Sequence, residues 1–141
     1  MESVARGFAS RRNRRGVVVG VLPGRVDAGG VRTPPGYPNR WIDIPICTHL
    51  PLSGDQGRDP LSRNHINVLS ADVVVALPGG AGTRTEVELS LVYRRPLIVF
   101  LGEGGAIEGL DEERVLVARS LADVERFVEA ELSSRDGVRF Q

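Results

Sequence analysis

The chain of 141 residues contains no lysine, and all eighteen of its basic residues are arginine. That absence excludes two chemistries. A pyridoxal-phosphate enzyme holds its cofactor as a Schiff base on a lysine, so the chain is not a decarboxylase of that kind. A Walker P-loop reaches its phosphates with a lysine, and this chain cannot supply one. There is one cysteine, Cys47, which rules out an internal disulfide framework. Cys47 and the two histidines, His49 and His65, are too scattered for ligand spacing, so no metal site is expected. Long apolar runs are also missing. None approaches the roughly 18 residues of a membrane span. The opening Met1-Glu2, with arginines at 11, 12, 14 and 15, does not read as a secretory signal. The expectation is a cytoplasmic protein with no membrane partner. Aromatic residues make up 5% of the chain, and no basic stripe interleaves with them, so nucleic acid is not an expected partner.

The hydrophobic fraction of 41% suffices for a core, and the length suits a single domain over residues 1–141. No cofactor is expected to be needed for folding. Net charge is zero but unevenly spread. Residues 1–70 hold ten arginines against five acids, a net of +5, and residues 71–141 hold eight against thirteen, a net of −5. A basic first half favours an anionic ligand, or is simply a solvated surface.

The pattern along the chain is that of an α/β protein. Residues 1–13 read as a helix, with Val4 and Phe8 on one face and Gly16 as a stop. Residues 17–22 are β-branched and continuous, as in a strand buried on both faces. Residues 23–40 are a Gly- and Pro-rich loop, and 41–46 form a short edge strand containing Pro45. A helix over 61–70 offers Ile66 and Leu69 to the core. Strands follow at 73–77, 97–101 and 114–118, with helices at 83–94 and, capped by Ser120, from 120 to about 132. Alternating strands and helices predict a parallel sheet flanked by helices.

One segment carries chemistry: Pro78-Gly79-Gly80-Ala81-Gly82-Thr83 between a buried strand and a helix. Ligands in open α/β sheets sit beyond the carboxyl ends of strands. Glycines admit an anion close to backbone N–H groups, and a helix N-terminus adds unpaired donors. The order predicts a phosphate site. Thr83-Arg84-Thr85-Glu86 also fits a capping box, in which Glu86 reaches back to Thr83; the alternative is a functional carboxylate. Glu88, two residues on, reads as solvated. Arg63 is either an exposed surface residue or a guanidinium clamp for a phosphate or carboxylate.

Several of these segments together resemble one superfamily. They are Arg63-Asn64, then Asn67 through Ser70-Ala71-Asp72, then Ala76-Leu77-Pro78-Gly79-Gly80-Ala81-Gly82-Thr83 with Glu86, and Arg95-Pro96. The chain is similar over residues 1–102 to the LONELY GUY (LOG) proteins and the molybdenum cofactor carrier proteins, which are Rossmann-like. The resemblance implies a small phosphorylated ligand, either a nucleotide or the molybdenum cofactor, and a homo-oligomer. It puts Pro78 to Thr83, Arg63 and Asn64 at the ligand. In the LOG enzymes the residues matching Arg63 and Glu86 are catalytic, cleaving the N-glycosidic bond of nucleoside 5′-monophosphates. Those enzymes carry Lys where this chain has Asn64, and an acid where it has Thr85. Arg-Asn with Pro-Gly-Gly-Ala-Gly-Thr looks more like the carrier branch. Met1-Glu2-Ser3-Val4-Ala5-Arg6-Gly7 resembles an internal stretch of the family pattern that begins at an internal methionine. By that match the family's first two strands, its first helix and another glycine-rich ligand loop are absent.

Overall fold

A computed structural model describes residues 2–136, and Met1, aligned above with an internal methionine, lies outside the described residues. The chain forms two compact units, Met1–Leu52 with Leu61–Arg63, and Ser53–Pro60 with Asn64–Gln141. The fold is mixed α/β with parallel strands and flanking helices, as the alternation of elements predicts.

In the first unit, helix α1 (Glu2–Ala9) is shorter than the predicted 1–13. Its last α-type bond runs from the Ser10 N–H to the Arg6 carbonyl at 2.9 Å, and the next N–H, that of Arg11, turns to the Phe8 carbonyl at 3.1 Å instead. Strand β1 (Val19–Leu22) pairs in parallel with a later strand at Ile44–Cys47, with Val19 opposite Ile44. The stretch 17–22 is not buried on both faces. Val17 and Val19 are 56% and 50% exposed and only Leu22 is fully covered. A two-stranded sheet gives its outer strand positions no cover, which periodicity alone cannot foresee. The predicted loop 23–40 contains an antiparallel hairpin, β2 (Arg25–Asp27) and β3 (Gly30–Arg32). Asp27 Oδ1 accepts the Gly29 N–H at 2.8 Å, an Asx-turn that tightens the connection, and Gly30 takes a positive φ of 103°. The strand at Ile44–Cys47 is β4, and it pairs only with β1 among the described residues. That edge position tolerates Pro45, which has no N–H for a second neighbour.

The segment between α1 and β1 is fixed by one carboxylate. Arg14 Nη2 donates to Asp43 Oδ1 at 2.9 Å and Nη1 donates to Oδ2, a two-point guanidinium–carboxylate fork. The Val18 N–H also donates to Asp43 Oδ2, at 2.7 Å.

In the second unit, β5 (Val74–Ala76), β6 (Leu97–Phe100) and β7 (Val117–Ala118) run parallel in the order β5-β6-β7. Parallel neighbours require a crossover, and α3 (Ala81–Val92) supplies it between β5 and β6. The core joins Ala76, Val87, Leu97, Val99, Leu101 and Ile107. Full burial of Val87 and Val99 contributes on the order of 1.5–3 kcal/mol each. Helix α2 (Asn64–Ser70) buries Asn64 and Val68. The predicted core residues Ile66 and Leu69 are 37% and 45% exposed, because the i,i+4 pair Asn64/Val68 sets the inward face. Helix α4 (Leu121–Asp136) starts as predicted, with the Asp123 N–H donating to Ser120 Oγ at 3.2 Å. No described helix is long and apolar enough to cross a membrane.

The Arg14–Asp43 fork carries a pH signature. The Arg14 hydrogen bonds, with that of the Val18 N–H, lower the Asp43 pKa from 3.8 to about 2. A depressed folded pKa contributes stability that is fully present above the unfolded value and lost as pH falls toward the folded one. The thermal midpoint of the parent chain should therefore drop relative to Asp43→Asn as pH falls from about 4 to about 2. A constant difference between the two across that window would exclude the linkage.

Candidate functional site

The glycine-rich segment takes its shape from both ends. Strand β5 ends at Ala76, and α3 begins at Ala81 with Gly80 as its N-cap. The Gly79 N–H donates to the Ala106 carbonyl at 3.2 Å, and its own carbonyl accepts the Glu108 N–H at 3.3 Å. The loop is thus fastened to the segment that follows β6. A Cβ on Gly79 would lie 2.4 Å from Thr83 Oγ1, so only glycine lets that hydroxyl sit against the turn. Gly80 is extended (φ −94°, ψ −153°), and no side chain caps the helix. The first N–H groups of a helix have no partners within it. Here no side-chain cap takes them.

Helix α3 starts two residues before the predicted position. The Gly80 carbonyl accepts the N–H of Arg84 at 3.1 Å, which makes Gly80 the cap and Thr83 an interior residue of the first turn. The capping-box reading of Thr83 and Glu86 is therefore wrong. Glu86 lies beyond the first turn and does not reach back along the helix; its Oε1 accepts from Asn67 Nδ2 at 2.9 Å. Thr85, one residue earlier, is buried, and its Oγ1 accepts from Asn64 Nδ2 at 2.9 Å while donating to the Gly82 carbonyl at 2.8 Å. Asn64 and Thr85, which depart from the LOG enzyme pattern, are thus in direct contact. They form one neutral buried pair.

The wall around that pair is close. A Cβ on Gly57 would lie 2.2 Å from Thr85 Oγ1 and 2.5 Å from Asn64 Nδ2. Arg84 Nη2 bonds Asp55 Oδ1 at 3.0 Å, and Glu88 lies near Arg84 and Arg58 at 3.8 and 3.5 Å. Glu88, expected to be solvated, keeps 36% of its side chain exposed while making these two long ion pairs. Asn67 and Asp55 were not singled out from the sequence as site residues. The i,i+3 spacing of Asn64 and Asn67 on one face of α2 was the available signal for Asn67. Asp55 had none, because its contact with Arg84 spans 29 positions.

Arg63 belongs to the first unit. Its Nη1 donates to the Val21 carbonyl of β1 at 3.1 Å, and its Nε is buried without a hydrogen-bond partner. It is not the exposed surface arginine of the simpler reading. His65 is spoken for. Its Nε2 faces the carbonyls of Arg58 and Asp59 at 3.2 and 2.9 Å, so it carries the proton, and Nδ1 accepts from the Tyr93 hydroxyl at 2.7 Å. Cys47 is exposed. Among the described residues no group of three His, Cys, Asp or Glu side chains is arranged to hold a metal.

A family model described as LDcluster4, SLOG cluster4 family, matches residues 1–131. Two solved structures are similar. One is the molybdenum cofactor binding protein from the phototrophic bacterium Rippkaea orientalis, with 27% identity and a TM-score of 0.56 over 84% of this chain. This chain spans 64% of that protein's length. The other is the X-ray structure of the structural-genomics target TM1055, with 23% identity and a TM-score of 0.59, covering 90% of this chain and 70% of that one. Both likenesses agree with the expected Rossmann-like fold. No curated protein matches the chain.

The buried pair generates a stability prediction. Thr85→Val keeps the shape but leaves Asn64 Nδ2 without this acceptor, which should cost about 1–3 kcal/mol in urea unfolding. Thr85→Ser, which keeps the hydroxyl, should cost less. Equal midpoints for parent and Thr85→Val would show that the bond contributes nothing.

Proposed function

The chain belongs to the SLOG cluster4 family, and we propose that it binds a small phosphorylated ligand, a pterin or a nucleotide, in the manner of a molybdenum cofactor carrier. The observation that carries this reading is the start of α3 at Gly80, directly beyond the end of β5, with no side-chain cap. Backbone N–H groups of Ala81, Gly82 and Thr83 would hold a phosphate there, aided by the helix dipole. The Thr83 hydroxyl would add a donor. Pro78 and Gly79 give the turn its shape, and Asn64 supports it from beneath through Thr85. The match to a molybdenum cofactor binding protein supports a pterin as the ligand. When bound, that cofactor supplies its own metal chemistry, and the residues here would only hold and shield it.

A second reading, a LOG-like phosphoribohydrolase, draws on one contact. Asn67 orients the Glu86 carboxylate, which serves no capping role. A carboxylate so held could stabilise positive charge on a ribose as the base departs. Asn64 and Thr85 weigh less against it than their sequence positions suggest, since they are a single internal pair.

Two measurements separate these readings. A Cβ on Gly80 meets nothing within 4 Å, so Gly80→Val should fold normally. It should nonetheless block close approach to the helix N-terminus and abolish calorimetric binding of a pterin phosphate or a ribonucleotide monophosphate. Equal affinity in parent and variant would refute the site. Glu86→Gln keeps an acceptor for Asn67 and should change stability by about 1 kcal/mol or less. For a carrier, neither form should release base from adenosine monophosphate or its N6-substituted forms. Turnover by the parent that is lost in Glu86→Gln and in Arg63→Ala would establish the hydrolase instead.

A further inference from the structure

A different cavity, in the first unit, has no part in the reading above. It measures about 480 Å³ and is lined by Phe8, Arg11, Arg12, Asn13 and Arg14. We propose that it is a second anion site, one that takes a small phosphomonoester carried on a flat ring.

The arginines here are not equivalent. Arg14 is committed to Asp43, and its Nη1 also donates to the Gly16 carbonyl at 3.3 Å. Its guanidinium lies over the Phe8 ring, 5.8 Å from the centroid. Asp43 balances its charge, so Arg14 acts as a fixed wall that holds Phe8 and the segment after α1 in place. Arg11 and Arg12 are exposed and have no carboxylate partner among the described residues. They lie beyond the last turn of α1, where Arg6 already faces the negative end of the helix dipole. Helix stability therefore does not account for them.

The cavity thus offers two uncompensated guanidinium groups, the Asn13 amide as a further polar group, and a Phe8 ring that is 41% exposed. Guanidinium forks match the oxygens of a phosphate, and a phosphomonoester carries between one and two negative charges near neutral pH. The volume is within the range of small-ligand pockets. An aromatic wall beside the cations suits a ring attached to that phosphate. One aromatic beside two arginines in an open surface cavity suits a small ligand better than the extended stripe that a nucleic acid requires.

The test is a ¹⁵N NMR titration of the full chain with phenyl phosphate. The amides of Arg11, Arg12 and Asn13 should shift saturably, and phenol, the same ring without the phosphate, should not shift them. Arg11→Gln/Arg12→Gln removes two exposed side chains without described partners, so its thermal midpoint should match the parent. Its affinity should fall by at least about tenfold, equivalent to about 1.4 kcal/mol. Gly80→Val should bind at this segment as the parent does, which separates this site from the one at α3. A response that never saturates, equal affinity in the double variant, or tighter binding of a duplex oligonucleotide at the same amides would each overturn the proposal.

Discussion

The Gly80 carbonyl accepts the first hydrogen bond of α3, from the N–H of Arg84 at 3.1 Å. That bond fixes where the helix begins and leaves its first N–H groups beside a residue with no side chain. Packing turns Thr85, Val87, Leu89 and Ser90 inward and sets Glu86 against Asn67 of α2. A start two residues later would have made Thr83 the cap and sent Glu86 back toward it. The helix would then have used its own side chains to satisfy the donors that a ligand could otherwise take.

The α2–α3 contact is held by polar groups at its deepest points. Asn64 and Thr85 are each 2% exposed, and an amide so buried is costly unless bonded. The Asn64–Thr85 bond offsets that cost, and Thr85 returns its own proton to the Gly82 carbonyl within the first turns of α3. Gly57 closes over the pair because any Cβ there would collide with both side chains. The glycine loop, the helix start and the floor beneath them are one hydrogen-bonded assembly. A change in that floor would be felt at the N-terminal end of α3.

The first unit uses charge where the second uses buried amides. Its two-stranded parallel sheet covers little of its apolar surface, with Val19, Ile44 and Ile46 all at least two-fifths exposed. The segment that leads into β1 is instead fixed by the Arg14–Asp43 fork and the Val18 N–H. Fixing Arg14 in this way sets it apart from Arg11 and Arg12. One guanidinium is structural, and its neighbours in the same run remain available to an anion.

Much of this was legible in the chain itself. Strand, glycine turn and helix could be read from 73 to 94, because β-branched runs and glycine clusters are local signals. The α/β class followed from the alternation of elements. The absence of lysine fixed what chemistry is impossible, since no fold can supply a missing functional group. The phase of α3, the exposure of Ile66 and Leu69, and the hairpin inside 23–40 were decided by packing. So was the pairing of residues distant in sequence: Asn64 with Thr85, Asn67 with Glu86, Arg14 with Asp43. The physical reason is range. Turn and strand preferences act over a few residues and survive in the bare sequence. Which face of a helix is buried, and which donor meets which acceptor, depends on groups 19 to 29 positions away that only the folded chain brings within 3 Å.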